Sequence, residues 1–292
     1  MLEIEAFGIS FKNPLLVASG PLTDKPAKVK RLAQKAIGGV VLKTISTKPA
    51  EVKRPLIAKV GCGLLNCELW SEDPPERWAR SFLPEIKREI SLPIIVSLGY
   101  KPEDIKELIP IFDEFADAFE ISTHYTGTDV DPIYKICKVA SSLTEKPVLI
   151  KMSPHFGNVV DFAKAAVDGG VSGIVAINSL GPGMAIDVRR RRSKLGEKYG
   201  WLSGPPIKPI ALRFVYEIRK AVDIPVIGVG GISSALDVLE FMMAGATLVQ
   251  ILSSAILKGI DIFDDIARDL PPLLEELGFK SLRDVIGVFE DG

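Results

Sequence analysis

Cysteine and histidine are both scarce in this chain of 292 residues, with three of the first and two of the second. Cys62, Cys67 and Cys137 are too few and too irregularly spaced for a disulfide framework. No pair has the spacing of a zinc or iron–sulfur site, so no metal is expected. No apolar run reaches membrane length, and the opening MLEIEAFGISFKNP carries charges where a signal peptide needs an apolar stretch. A cytoplasmic protein is the expectation. Neither sign of charge dominates, with Lys plus Arg at 36 and Asp plus Glu at 37. That balance gives no support to a nucleic-acid or membrane partner and favours a small-molecule ligand. Glutamine occurs only at Gln34 and Gln250, and asparagine is also rare, which is compatible with a thermophilic source.

What is present is apolar residue in quantity, 47% of the chain, enough to bury a sizeable core. It falls into eight short runs: Leu15 to Ala18, Gly39 to Lys43, Ile94 to Leu98, Ala118 to Ser122, Val148 to Met152, Gly173 to Asn178, Val226 to Val229, and Leu248 to Leu252. Strands covered on both faces read this way. Pro93, Pro147 and Pro225 stand just before three of the runs, where a missing amide proton costs little. Amphipathic segments lie between them: Ala27 to Ala36, Glu76 to Ile90, Pro102 to Phe115, Pro132 to Leu143, Val159 to Asp168, Pro209 to Val222, Ala235 to Ala244, and Ile260 to Leu277. Such alternation fits a closed barrel or an open doubly wound sheet. The count of eight without a break in composition favours a (β/α)₈ TIM barrel, one domain over residues 1–292. The stretches Thr44 to Pro75 and Leu180 to Lys208 are expected to be irregular, and each follows a strand, where barrels build their sites.

Gly230 and Gly231 follow the seventh run, and Ser253 and Ser254 end the eighth at the start of a helix, the usual place for a barrel phosphate site. The alternative is that the glycines serve only a tight turn. Lys43 and Lys151 end two apolar runs and could neutralise an anionic ring or phosphate; otherwise each is a solvated rim lysine. Asn178 and Ser179 offer an amide fork and a hydroxyl suited to a heterocycle with carbonyl and N–H groups. The run Arg189 to Arg192 reads most simply as a solvated loop, and Cys62 and Cys67 as small packing residues.

The run INSLGPGMAIDVRRRRSKLGEKYGWLSGPPIKPIALR resembles the long sixth loop of class 1 dihydroorotate dehydrogenases, especially the type that works with an electron-transfer partner subunit. FKNPLLVASG and VGGISSALDVLEFMMAGATLVQ fit the same family, so the resemblance covers essentially the whole chain. It implies FMN held by Ala18, Ser19 and Gly20, by Lys43 and Thr44, and by Lys151, with Gly204, Gly230, Gly231, Ser253 and Ser254 around its ribityl phosphate end. Asn178, shared between flavin and substrate, and Ser179 would face the substrate ring. The segment LLNCELWSEDPPERW, with Asn66, Glu68 and Trp78, looks more like dihydropyrimidine dehydrogenase, where the Asn and Glu positions grip a pyrimidine's polar edge.

The chain departs from the family after the fourth run. Where the family reads NLSCPN or NLSCPH, this sequence reads EISTHY, so Glu120 replaces an Asn that contacts flavin and substrate, and Thr123 replaces the catalytic Cys. Oxidising a dihydropyrimidine needs a base for the proton beside a carbonyl while hydride leaves the adjacent carbon. An alcohol is a weak base, although class 2 members of the family use Ser there. His124 and Tyr125 are neighbours with better proton chemistry. Thr123, His124 and the charged Lys43 are therefore the catalytic candidates, and Glu120, Asn66, Glu68, Asn178 and Ser179 the substrate-binding ones. The reading that follows is an FMN-dependent oxidoreductase of the carbon–carbon bond in dihydroorotate or a related pyrimidine. The alternatives are a flavin reductase of another unsaturated ring and a silent FMN-binding subunit. With no iron–sulfur quartet and no nicotinamide domain, electrons should leave through free acceptors or a partner chain. A homo-oligomer is expected by resemblance.

Overall fold

The computed structural model describes residues 1–99, 101–123, 129–155 and 157–290. Eight strands, β1 (Leu15–Val17), β2 (Gly39–Val41), β3 (Ile94–Leu98), β4 (Ala118–Ser122), β5 (Val148–Lys151), β6 (Gly173–Ala176), β7 (Val226–Val229) and β8 (Ala246–Ile251), form one closed barrel. They pair in chain order and all in parallel, and β8 returns to β1 with Gln250 opposite Leu16. Closure excludes the open doubly wound sheet. The strands are almost wholly buried, because helices cover one face and the barrel interior the other. Pro93, Pro147 and Pro225 give no N–H, but their carbonyls accept from Val40, Phe119 and Ile174 on the neighbouring strands.

The helices α1 (Pro26–Ala33), α2 (Leu83–Glu89), α3 (Pro102–Phe112), α4 (Val130–Ser141), α5 (Val159–Asp168), α6 (Lys208–Ala221), α7 (Ala235–Met243) and α8 (Ile262–Glu276) follow the amphipathic segments closely. Asn158 caps α5 by accepting from the Val160 and Asp161 amides, and Ser234 caps α7 by accepting from that of Asp237. The segment expected as one helix from Glu76 to Ile90 is divided, with a π turn at Trp78–Phe82 just before α2. Pro84 lies in the first turn after it and has no N–H for the ladder.

Two features are absent from the sequence reading. The opening residues form a hairpin, Ile4–Ala6 with Ile9–Phe11, turning at Phe7 and Gly8 with positive φ. It closes the amino-terminal end of the barrel: a Cβ on Gly39, at the start of β2, would stand 3.4 Å from the Phe11 ring, and one on Gly173, at the start of β6, 3.4 Å from Phe7. At the opposite mouth the two long stretches expected to be irregular are not so. Ile57–Val60 and Gly63–Asn66 from the β2 loop join Gly200–Ser203 and Leu180–Gly183 from the β6 loop in one four-stranded antiparallel sheet. That sheet has its own small core of Leu65, Cys67, Ala185 and Leu195. Cys67 is thus a packing residue, but Cys62 is exposed beside the Val60–Gly63 turn, contrary to the expectation for it. Arg189 to Arg192 are exposed at the end of a further short hairpin.

Phe11 is 1% exposed, and its truncation in Phe11→Ala should cost about 3–5 kcal/mol, seen as a lower midpoint of denaturant unfolding.

Candidate functional site

The barrel's carboxyl-end mouth holds an open cleft of about 1020 Å³, part of it continuous with solvent. Ala18, Ser19 and Gly20 reach it from the end of β1, Lys43 and Thr44 from β2, Glu120 and Ser122 from β4, Lys151 from β5, and Asn178 and Ser179 from β6. The four-stranded lid supplies Asn66, Trp201 and Ser203, with Glu68, Leu69 and Trp70 just beyond its strand. Gly204 precedes α6, Gly230 and Gly231 follow β7, and Ser253 and Ser254 open a short helix, Ser253–Lys258, after β8. The cleft therefore gathers every proposed flavin residue and all the proposed substrate residues.

Its floor is polar where a barrel interior is normally apolar. The Lys151 ammonium donates to Gln250 Oε1 at 2.9 Å and Glu120 Oε1 at 3.3 Å, and Gln250 Nε2 donates to Glu120 Oε2 at 2.5 Å. β4 and β8 are diametrically opposed, so the Glu120–Gln250 bond crosses the lumen. Beside this ring, the hydroxyls of Ser19, Thr44 and Ser97 form a chain with spacings of 3.0 and 2.9 Å.

Lys43 is 8% exposed, with Glu68 Oε2 3.6 Å from its Nζ. Burial holds the Lys43 ammonium below its ordinary range, and Glu68 and Asp24 only partly offset this. Burial likewise pushes the Glu68 carboxyl up, opposed by Lys43. The rim-lysine alternative does not describe either lysine, since Lys151 is 6% exposed. Asn66 donates to the Trp201 carbonyl at 3.2 Å, and Asn178 Oδ1 accepts from the Ser179 amide at 2.8 Å.

At the other end, Gly230 and Gly231 have φ of +134° and +83°, which side-chain-bearing residues rarely adopt, and a Cβ on Gly231 would lie 2.9 Å from the Gly204 carbonyl. Ser254 Oγ donates to the Ile232 carbonyl at 2.6 Å, and Ser253 Oγ to Ser203 Oγ at 2.8 Å. The turn and ligand roles of these glycines are thus compatible: their backbone needs glycine, and they line the cleft. Lys208 and Asp237 brace the turn from behind, at 2.7 Å.

The position expected to carry the base is arranged differently. Thr123 is fully buried, and its hydroxyl donates to the Lys151 carbonyl at 2.7 Å. His124 and Tyr125 lie outside the described residues, and His155 is exposed. Sequence reasoning missed Gln250, Ser97, Ser122, Trp70 and Trp201. For Gln250 the signal was available: a lone amide within the buried run Ala246–Ile251. Among the described residues no helix is long and apolar enough to cross a membrane.

The donor set fits a flavin mononucleotide. A floor of ammonium, amide and hydroxyl groups suits a ring bearing carbonyl and nitrogen atoms, and the glycine–serine turns at the barrel's seventh and eighth strands suit a phosphate. A closed barrel with this cleft defines the class of FMN-dependent barrel oxidoreductases. The chain belongs to the dihydroorotate dehydrogenase family, whose model, described as Dihydroorotate dehydrogenase, matches residues 1–274. It is 38% identical over 299 residues, 98% of either chain, to the protein named dihydroorotate dehydrogenase B (NAD(+)), catalytic subunit, of Pyrococcus furiosus. The protein of the same name in Methanocaldococcus jannaschii is 33% identical over 99% of this chain and 98% of its own. One named dihydroorotate dehydrogenase A (fumarate), from Limosilactobacillus reuteri, is 34% identical over 97% and 96%.

Because the folded-state pKa of Lys43 is depressed, its buried charge destabilises the ligand-free protein below that value. The penalty is relieved as pH climbs toward the unfolded value of about 10.4. Denaturant midpoints of the FMN-free protein should therefore rise over the alkaline range relative to those of Lys43→Met.

Proposed function

We propose that this chain is the flavin-bearing subunit of a dihydroorotate dehydrogenase, oxidising dihydroorotate and passing the electrons to a partner subunit. The observation that carries this is the meeting, in one cleft, of buried Lys43 with Asn66, Glu68, Asn178 and Ser179 on one side and the glycine–serine turns on the other. The names of the Pyrococcus and Methanocaldococcus relatives support the substrate and, through the words catalytic subunit, the partner.

When bound, FMN supplies the hydride acceptor. Ala18, Ser19, Gly20, Thr44 and Lys151 would hold its ring, and Gly204, Gly230, Gly231, Ser253 and Ser254 its phosphate. Lys43 meets the substrate's carboxylate, an interaction strengthened by its low exposure. Asn66, Asn178 and Ser179 match the alternating carbonyl and N–H groups of the ring, and Glu68 accepts from a ring N–H. Trp70 and Trp201 line the same cleft and limit water there.

A proton must also leave the carbon beside the ring carbonyl. Thr123 stands at the position that resembles the family's Cys, but its hydroxyl proton is given to the Lys151 carbonyl. An unassisted alcohol is too weak for the task. We assign the base to His124, the next residue, because imidazole is the side chain best suited to accept a proton at neutral pH. Neutral imidazole accepts the proton and imidazolium does not, so the rate falls on the acid side of the pH profile.

A second reading has one observation in its favour. The Glu68 carboxylate already lies 3.6 Å from the Lys43 ammonium, an arrangement that suits an uncharged dihydropyrimidine as well as an acidic one.

Anaerobic addition of dihydroorotate should bleach the oxidised flavin band of the purified protein. Bleaching by dihydrouracil alone would transfer the assignment to the second reading, and bleaching by neither would transfer it to a flavin reductase of another unsaturated ring or to a silent subunit. His124→Gln should slow flavin reduction by about 10²–10⁴-fold and remove the acid limb of the pH profile. Thr123→Val should keep that limb; its loss in Thr123→Val with survival in His124→Gln would reverse the assignment.

A further inference from the structure

The Glu120–Lys151–Gln250 ring has no necessary place in a barrel interior. All three residues are almost fully buried, at 0%, 6% and 1% exposure, on strands whose other residues are mostly apolar. Replacing buried ion pairs with apolar residues of similar volume is often neutral or stabilising, so stability alone is a poor reason to keep this one. Geometry shows what the ring accomplishes. An ammonium has three N–H groups. Lys151 gives one to Glu120 and one to Gln250, and its side chain still lines the cleft. Gln250 bonds both partners at once, its carbonyl toward the ammonium and its amide toward the carboxylate, which fixes the carboxylate against the cation.

The effect is on charge. With a neutral amide at position 120, as the resembling family has, Lys151 would present a net positive charge to the cleft. With Glu120 the ring as a whole is neutral. A flavin that takes up an electron pair with a single proton carries a negative charge on its reduced ring, and a nearby positive charge favours that form over the oxidised one. We propose that Glu120 keeps the reduction potential of the bound flavin low by neutralising Lys151, so that electrons accepted in this subunit pass readily onward. Glu120 acts here through Lys151 and is a positioning residue. The inference rests on the FMN reading above.

The test is an equilibrium reduction of the FMN-loaded protein against a reference dye, which requires no substrate turnover. Glu120→Gln and Glu120→Asn should each raise the reduced-to-oxidised ratio at a fixed dye potential by about tenfold or more, equivalent to about 30 mV for a two-electron couple. Gln250→Glu adds a second carboxylate to the ring and should shift the ratio the other way. If the Glu120 variants do not fold, Gln250→Glu carries the test alone. Flavin bound with an unchanged ratio in every variant that folds overturns the role of Glu120 and leaves the FMN reading standing. A wild-type chain that retains no FMN after reconstitution overturns the FMN reading itself and removes the basis of this one.

Discussion

Holding an ammonium inside a closed barrel is expensive, because an ion of that size loses several kcal/mol of hydration that only partners of good geometry restore. Lys151 is tolerated because strands from three parts of the chain converge on it: β5 supplies the cation, β4 the carboxylate and β8 the amide. The arrangement is possible only in a closed barrel, since in an open sheet β4 and β8 would lie too far apart to touch. Much of the site depends on it. Thr123 is tied to the Lys151 main chain, and the cleft floor is the upper surface of the same ring.

Above that floor, the mouth is made by segments that have no hydrophobic periodicity of their own. Joining the β2 and β6 loops into one sheet satisfies backbone groups that would otherwise face the cleft unpaired, and it brings Asn66 beside Trp201. Cleft-lining residues from distant parts of the sequence, Asn66, Trp201 and Ser203 among them, are therefore positioned by backbone pairing rather than by loop conformation. Lys43 and Glu68 show the electrostatic side of the same enclosure, each driven toward its neutral form by burial while its partner resists.

The barrel was legible because parallel strands buried on both faces leave uninterrupted runs, and Ile94–Leu98, Ala118–Ser122 and Val226–Val229 coincide with the structure at both ends. The lid was not, because LGPG and GWLS carry glycine and proline where strands usually carry branched side chains. Neither was the hairpin at the amino terminus, where the alternation of Ile4, Ala6, Ile9 and Phe11 is divided between two strands of only three residues each. Lys43 and Lys151 were legible as charged residues ending apolar runs, whereas the partnership of Glu120 with Gln250 joins residues 130 positions apart, and a single sequence gives no sign of such a contact. Gln250 itself stood out only as an amide in apolar company.

The hairpin that carries Phe7 and Phe11 packs against the starts of β2 and β6, and the described cleft opens at the opposite, carboxyl-end mouth. A small molecule that gives up electrons and a small molecule that collects them would both meet the cofactor through this mouth. A diffusible acceptor would have to wait for the oxidised ring to depart, so the two half-reactions would alternate in time. A docked partner escapes that queue only if it reads the cofactor's edge from outside, without going through the vestibule.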